Sequence, residues 1–199
     1  HNPRFIKCTF LIQCFHYFFH RKVYLEMVQN ILSESMDQLG YVASNSFVKV
    51  RLGEAEEKII PITEVKVGDH ILSYDTERDV AEYVKVTEVS EISIEAKDQI
   101  KLTTEDGTYI TTSIWNLFPI FDASKGIIRF IRSDRVKIGN MTLGDNELFK
   151  KVVKIERGEE ISCDKKFIGL SIKGNGNYFC STDNSDQNLC FNLICDMKS

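Results

Sequence analysis

Residues 40–74 read GYVASNSFVKVRLGEAEEKIIPITEVKVGDHILSY, and the fold turns on this stretch. Val48, Val50 and Leu52 alternate with Lys49 and Arg51, the period-two pattern of a half-buried strand. Gly53–Glu57 supplies a polar turn, and Ile59, Ile60, Ile62 and Val65 form a return run. Val67-Gly68-Asp69-His70-Ile71-Leu72 then makes a tight turn into another strand. The expectation is a β-hairpin leading into a second strand pair.

The β pattern continues downstream. Asp75–Asp79 is a polar turn and Val80–Val89 a strand. Ile100–Thr103 and Tyr109–Thr112 flank Glu105-Asp106-Gly107, a strong hairpin turn. Asn116–Phe121, Ile127–Ile131, Leu148–Glu156 and Ile168–Ile172 read as further strands. Val136-Lys137-Ile138-Gly139-Asn140 reads as a second copy of the phrase Val65-Lys66-Val67-Gly68-Asp69, again set among strands. Residues 181–199 mix Leu189, Phe191, Leu193 and Ile194 with polar residues, as a closing strand or a loose tail would.

Upstream the period changes. Pro3 suits the first turn of a helix to about Lys22, with Phe5, Ile6, Phe10, Leu11, Phe15, Phe18 and Phe19 near helical spacing. A second helix is predicted from Val23 to Gln38, with Gly40 as its stop. Residues 1–40 thus read as a helical hairpin, 41–180 as a β-domain and 181–199 as the tail. Phe10, Phe15, Phe18 and Phe19 exceed what two helices hide between themselves, so the hairpin is the expected contact for a protein partner or an upstream domain. The run Phe5–Phe19 falls short of the roughly 20 apolar residues that span a bilayer, so no membrane span is expected.

Composition narrows the function classes. The chain has 199 residues, 43% hydrophobic and 27% charged, with a net charge of −4. That balance belongs to a globular protein. It lacks the basic excess that nucleic-acid binding uses. Six cysteines occur without a C-x-x-C pair, and no histidine sits at ligand spacing among the last four. They read as reduced, buried thiols of an intracellular protein. No glycine-rich phosphate cradle, catalytic carboxylate pair or metal cluster stands out, so no cofactor is expected.

The order of these phrases resembles the opening of a Hint domain. That fold is shared by inteins, hedgehog C-terminal domains and a domain found behind von Willebrand A modules. The resemblance runs from Gly40 to Phe179, and Gly174-Asn175-Gly176-Asn177-Tyr178-Phe179 is similar to the intein phrase before the C-terminal splice junction. It implies a mainly β, pseudo-twofold, horseshoe-like fold and a self-cleaving or splicing activity. It also implies that Tyr41 lies near Asn177–Phe179 and close to Thr112.

The residues that the resemblance would make catalytic depart from the pattern. The family's first residue is a cysteine or serine, whose side chain attacks the preceding carbonyl. Here it is Tyr41, whose phenol lies at the far end of a rigid ring and is protonated at neutral pH. Ser44 and Ser46 are the alternative nucleophiles. The family's Thr-x-x-His motif falls on Thr112 and Trp115, or in the other register on Thr111 and Ile114; neither Trp nor Ile transfers a proton to a departing amide. Gly176 stands where the intein phrase has histidine. Asn184-Ser185, the one Asn-nucleophile pair near the C-terminal junction, follows Asp183 and not His. Three departures together point to a domain that has lost self-cleavage and serves as a structural or interaction module. The alternative is an active autoprocessing domain with a variant or replaced nucleophile, and a third reading is a small ligand-binding β-barrel.

Overall fold

The computed structural model describes residues 40–53, 56–75, 78–145, 148–161, 165–174, 176–182 and 192–195. The chain divides into two units, His1–Asp37 and Gln38–Ser199, and the described residues all belong to the second. The helical hairpin expected over residues 1–40 therefore lies outside the described residues, apart from Gly40. Among the described residues, no helix is long and apolar enough to cross a membrane.

The second unit is mainly β, and its strands follow the turn signals. Short β1 (Tyr41–Ala43) is followed by the hairpin β2 (Ser46–Leu52) and β3 (Glu56–Pro61). Then come β4 (His70–Asp75), the long β5 (Val80–Ser93) and β6 (Gln99–Thr104). The continuation is β7 (Tyr109–Ser113), β8 (Leu117–Asp122), β9 (Ile127–Arg132), β10 (Met141–Leu143) and β11 (Phe149–Arg157). Strands β12 (Lys166–Ile172), β13 (Asn177–Thr182) and β14 (Asn192–Cys195) follow among the described residues. In β2 the predicted alternation holds for Val48 and Val50, which are buried, while Lys49 is half-buried and Arg51 exposed. Leu52 leaves the core at the turn and is exposed.

The two copies of the short phrase fold into the same turn. After a single 3₁₀ turn (Ile62–Glu64 in one, Ser133–Arg135 in the other), the Lys66 N–H donates to Asp69 Oδ2 and the Lys137 N–H to Asn140 Oδ1, each at 2.8 Å. Gly68 and Gly139 have φ of 101° and 92°, a region where a Cβ would clash with its own backbone. The Gly68 N–H reaches the Val86 carbonyl at 2.9 Å, and the Gly139 N–H reaches that of Val152 at 2.8 Å. Val86 and Val152 return N–H bonds to the Asp69 and Asn140 carbonyls at 2.7 and 2.8 Å. The phrase repeated in the sequence thus folds as the same turn, hydrogen bond for hydrogen bond.

The halves then exchange strands. Strand β5 of the first half pairs with β12 at the end of the second, from Lys166↔Ser93 to Ile172↔Val86. Strand β11 of the second pairs with β6 at the end of the first, from Val152↔Thr104 to Arg157↔Ile100. Each pairing carries one irregularity near the shared turn. The main core gathers residues of both halves, with Val48, Ile71, Val86, Ile100, Ile110, Phe118, Val152, Leu170 and Tyr178 among its members. A smaller cluster joins Leu72, Tyr74, Leu143 and Phe179, and a third joins Tyr41, Ala43, Ile94 and Phe167.

One pseudo-equivalent pair differs in chemistry. In the first half Ile71 pairs with Val84, and both are apolar and buried. The matching pair in the second half is Thr142 with Lys150, which is also buried. The Lys150 ammonium meets Asp106 Oδ2 at 3.1 Å and Thr108 Oγ1 at 2.9 Å. Asp106 also accepts from the Thr104 hydroxyl at 2.7 Å, the Thr108 N–H at 3.1 Å and the Thr108 hydroxyl. Partial burial pushes the Asp106 carboxyl upward, but the Thr108 and Thr104 bonds and the Lys150 charge outweigh it and bring it down to about 2.

Candidate functional site

Three strands converge on the start of the β-domain. Strand β1 is only three residues long, yet it is paired on both sides: with β12 through Tyr41↔Gly169, Val42↔Ile168 and Ala43↔Phe167, and with β7 through Val42↔Thr112. Strand β13 reaches the same place, pairing with β7 at Thr182↔Tyr109 and with β2 at Cys180↔Val48. Alternation along β13 sends Tyr178 and Cys180 into the main core and Phe179 into the smaller cluster. The proximity expected between Tyr41, Thr112 and residues 177–179 is met: the Tyr178 hydroxyl donates to the Gly40 carbonyl at 2.9 Å, and the Thr112 hydroxyl to the Tyr41 carbonyl at 2.5 Å.

Tyr41 itself faces elsewhere. Its hydroxyl donates to Ser90 Oγ on β5 at 3.0 Å, and its ring packs with Ile94 and Phe167. An aromatic ring of this size is mainly an apolar payload with one polar tip to satisfy, and Ser90 satisfies it.

The loop after β7 carries the next polar group. Ile114 and Trp115 form a turn, in which the Trp115 N–H donates to Ser113 Oγ at 3.0 Å. The Trp115 side chain is half-buried, with the Arg132 guanidinium 4.5 Å over its ring, a cation–π contact. Arg132 also forks onto Asp134 through two 2.6 Å bonds, which hold the Asp134 carboxyl below its usual range. Asn116, one residue further on, is fully buried and turns back to the junction. Its Oδ1 accepts the Gly40 N–H at 3.2 Å and the Leu117 N–H at 2.9 Å, and its Nδ2 donates to Thr112 Oγ1 at 3.1 Å. The Asn116 carbonyl accepts both the N–H and the hydroxyl of Ser133 at 2.7 Å. Sequence spacing did not single out Asn116. The available signal was a lone amide at the head of the apolar run Leu117–Phe121, where a buried polar group needs partners.

The two alternative serines lie apart from this network. Ser44 sits in the turn after β1, its N–H bonded to the Lys166 carbonyl at 3.0 Å. Ser46 is buried, its hydroxyl 2.9 Å from Thr182 Oγ1, which also accepts the Thr111 N–H at 2.9 Å. His70 opens β4 and is exposed. Asn177 fastens β13 to β4: its Oδ1 accepts from the Tyr74 N–H at 2.9 Å and from Ser73 Oγ at 3.2 Å, and its Nδ2 donates to the Tyr74 carbonyl at 3.0 Å. Cys180 is free and buried, and burial pushes its thiol well above the ordinary range, away from the thiolate that attacks carbonyls.

Arranged this way, the site can hold the peptide between Gly40 and Tyr41 and hydrogen-bond two successive carbonyl oxygens. No protein-family model and no curated protein sequence matches the chain. Solved structures do. An intein from a hyperthermophile is similar with a TM-score of 0.62 at 14% identity, over 79% of this chain and 100% of its own. A bacterial intein-like domain from Clostridium thermocellum has a TM-score of 0.59 at 14% identity, over 78% of this chain and 97% of its own. The gp41-1 intein has a TM-score of 0.54 at 22% identity, over 79% and 98%. With the duplicated turn and the exchanged strands, these likenesses fix the architecture: the chain carries a Hint-like, intein-type β-fold.

Proposed function

We propose that this Hint-like domain has lost self-cleavage and works as a structural and protein-interaction module. The observation that carries the reading is the direction of Tyr41, whose hydroxyl is bonded to Ser90 and not aimed at the Gly40 carbonyl. Cutting the Gly40–Tyr41 peptide requires a nucleophile at its carbonyl carbon and a proton for the departing nitrogen. Among the described residues, the side chains hydrogen-bonded to the backbone of Gly40 and Tyr41 are Thr112, Asn116 and Tyr178. Two of them donate to carbonyl oxygens, and a carboxamide such as Asn116 does not act as a proton donor of matched pKa. Trp115 is held against Arg132 and Ser46 against Thr182.

The module's partner is a protein, engaged through the predicted helical hairpin of residues 1–40, in an intracellular setting and without a cofactor. The net charge of −4 supports a protein over a nucleic acid.

The second reading is an active autoprocessing domain. The feature in its favour is the pair of hydroxyls on successive carbonyls, since donors at a carbonyl oxygen also stabilise the charge that grows there during attack. Intact mass followed over time separates the two. The full chain carries a reporter ahead of Gly40 and is incubated with and without a strong thiol. One unchanged full-length mass is expected. Loss of the segment ahead of Tyr41, Ser44 or Ser46 would sink the silent-module reading.

A further inference from the structure

Gly40 is held by side chains at both of its backbone groups. Its N–H goes to Asn116 Oδ1 at 3.2 Å and its carbonyl to the Tyr178 hydroxyl at 2.9 Å, while the next carbonyl goes to the Thr112 hydroxyl at 2.5 Å. Asn116, Thr112 and Tyr178 are all fully buried. Most backbone groups in a β-domain pair with other backbone groups, so three successive side-chain contacts from buried residues amount to a built site. The holders are oriented in turn: Asn116 Nδ2 bonds Thr112 Oγ1, and Ser133 fixes the Asn116 carbonyl. Gly40 has a φ of 77°, a left-handed conformation that a side chain resists, and it is buried.

We propose that Asn116, Thr112 and Tyr178 form a glycine-selective backbone clamp that locks β1 into its slot between β7 and β12. Three residues of strand give few ladder bonds of their own, and one of the two flanking pairings is a single residue pair. The clamp supplies the missing hold at the end where the ladder stops. The idea rests on the silent-site reading, because a peptide that is never cut can serve as a permanent fastening. The two are separable by experiment, since cutting changes mass and unclamping changes amide exchange.

The test is residue-resolved hydrogen exchange on the full chain. The Gly40 amide is expected to exchange at least ~100-fold more slowly than in an open chain. Tyr178→Phe keeps the ring and removes one oxygen; it should speed exchange at Gly40 about tenfold and leave Val48 and Val50 of β2 as they were. Asn116→Ala and Gly40→Ala should speed it further. If Asn116→Ala loosens β2 as well, the Tyr178→Phe result decides. A Gly40 amide that exchanges at the open-chain rate, or one indifferent to Tyr178→Phe, overturns the clamp.

Discussion

The two halves of the domain share a turn down to individual hydrogen bonds but not the chemistry behind it. Behind the first turn, Ile71 and Val84 bury hydrocarbon against Val50. Behind the second, Thr142 and Lys150 bury polar atoms next to Ile120, and Lys150 is satisfied from outside the repeat by Asp106 and Thr108. Backbone geometry therefore survives where core chemistry has diverged. The turn depends on glycine and on one side-chain acceptor, both of which are local. The core pair depends on what a distant loop offers.

The largest break in this comparison is expected on the apolar side. Ile71 is fully buried, and Ile71→Ala removes packed hydrocarbon and leaves a cavity, at a cost of about 3 kcal/mol. A lowered denaturation midpoint at unchanged slope checks it. On the polar side, Lys150→Met should cost less, about 2 kcal/mol, because Asp106 is partly exposed and can rehydrate. The same variant carries a pH signature. The Asp106 carboxyl is lowered to about 2 in the fold, below the ordinary carboxylate value near 4. Its stabilisation is present above about pH 4 and is lost as pH falls toward 2, since the unfolded chain takes up the proton first. With about a third of the side chain open to solvent, the effect is screened to roughly 1 kcal/mol. Denaturation midpoints between pH 5 and 2 should fall less steeply in Lys150→Met. The smallest effect has the opposite sign. Thr142 Oγ1 is buried with no hydrogen-bond partner, so Thr142→Val should stabilise by up to about 1 kcal/mol. A variant that loses stability instead would mean that the hydroxyl belongs to the Lys150 network.

The same contrast between local and distant explains what the sequence made legible. The repeat from Val65 and Val136, the turn at Asp106-Gly107 and the alternation in β2 rest on neighbours a few residues apart; the repeat and the turn fold as read, and the alternation holds at Val48 and Val50 but not at Leu52. The exchange of β5 with β12 and β6 with β11 joins segments whose sequences contain no mark of one another. The site lies between these cases. The order of phrases puts Tyr41 near Thr112 and the segment 177–179, and the structure brings the Thr112 and Tyr178 hydroxyls onto the carbonyls of Tyr41 and Gly40. The Thr-x-x-His spacing led to Trp115, whereas the side chain that reaches the junction is that of Asn116. Residues 114 and 115 turn before the strand resumes, and counting along the chain cannot say on which residue a turn ends.

The strand exchange also sets a timetable for synthesis. Ser46 meets Thr182 across a separation of 136 residues, and Thr87 meets the Ser171 carbonyl across 84. At the usual ~5–20 residues per second, β2 is made on the order of ten seconds before β13 exists. Throughout that interval Val48 and Val50 have β3 and β4 beside them but not the strand that closes the core. The nascent first half must therefore wait with an open edge, and a ribosome that pauses in the second half lengthens the wait.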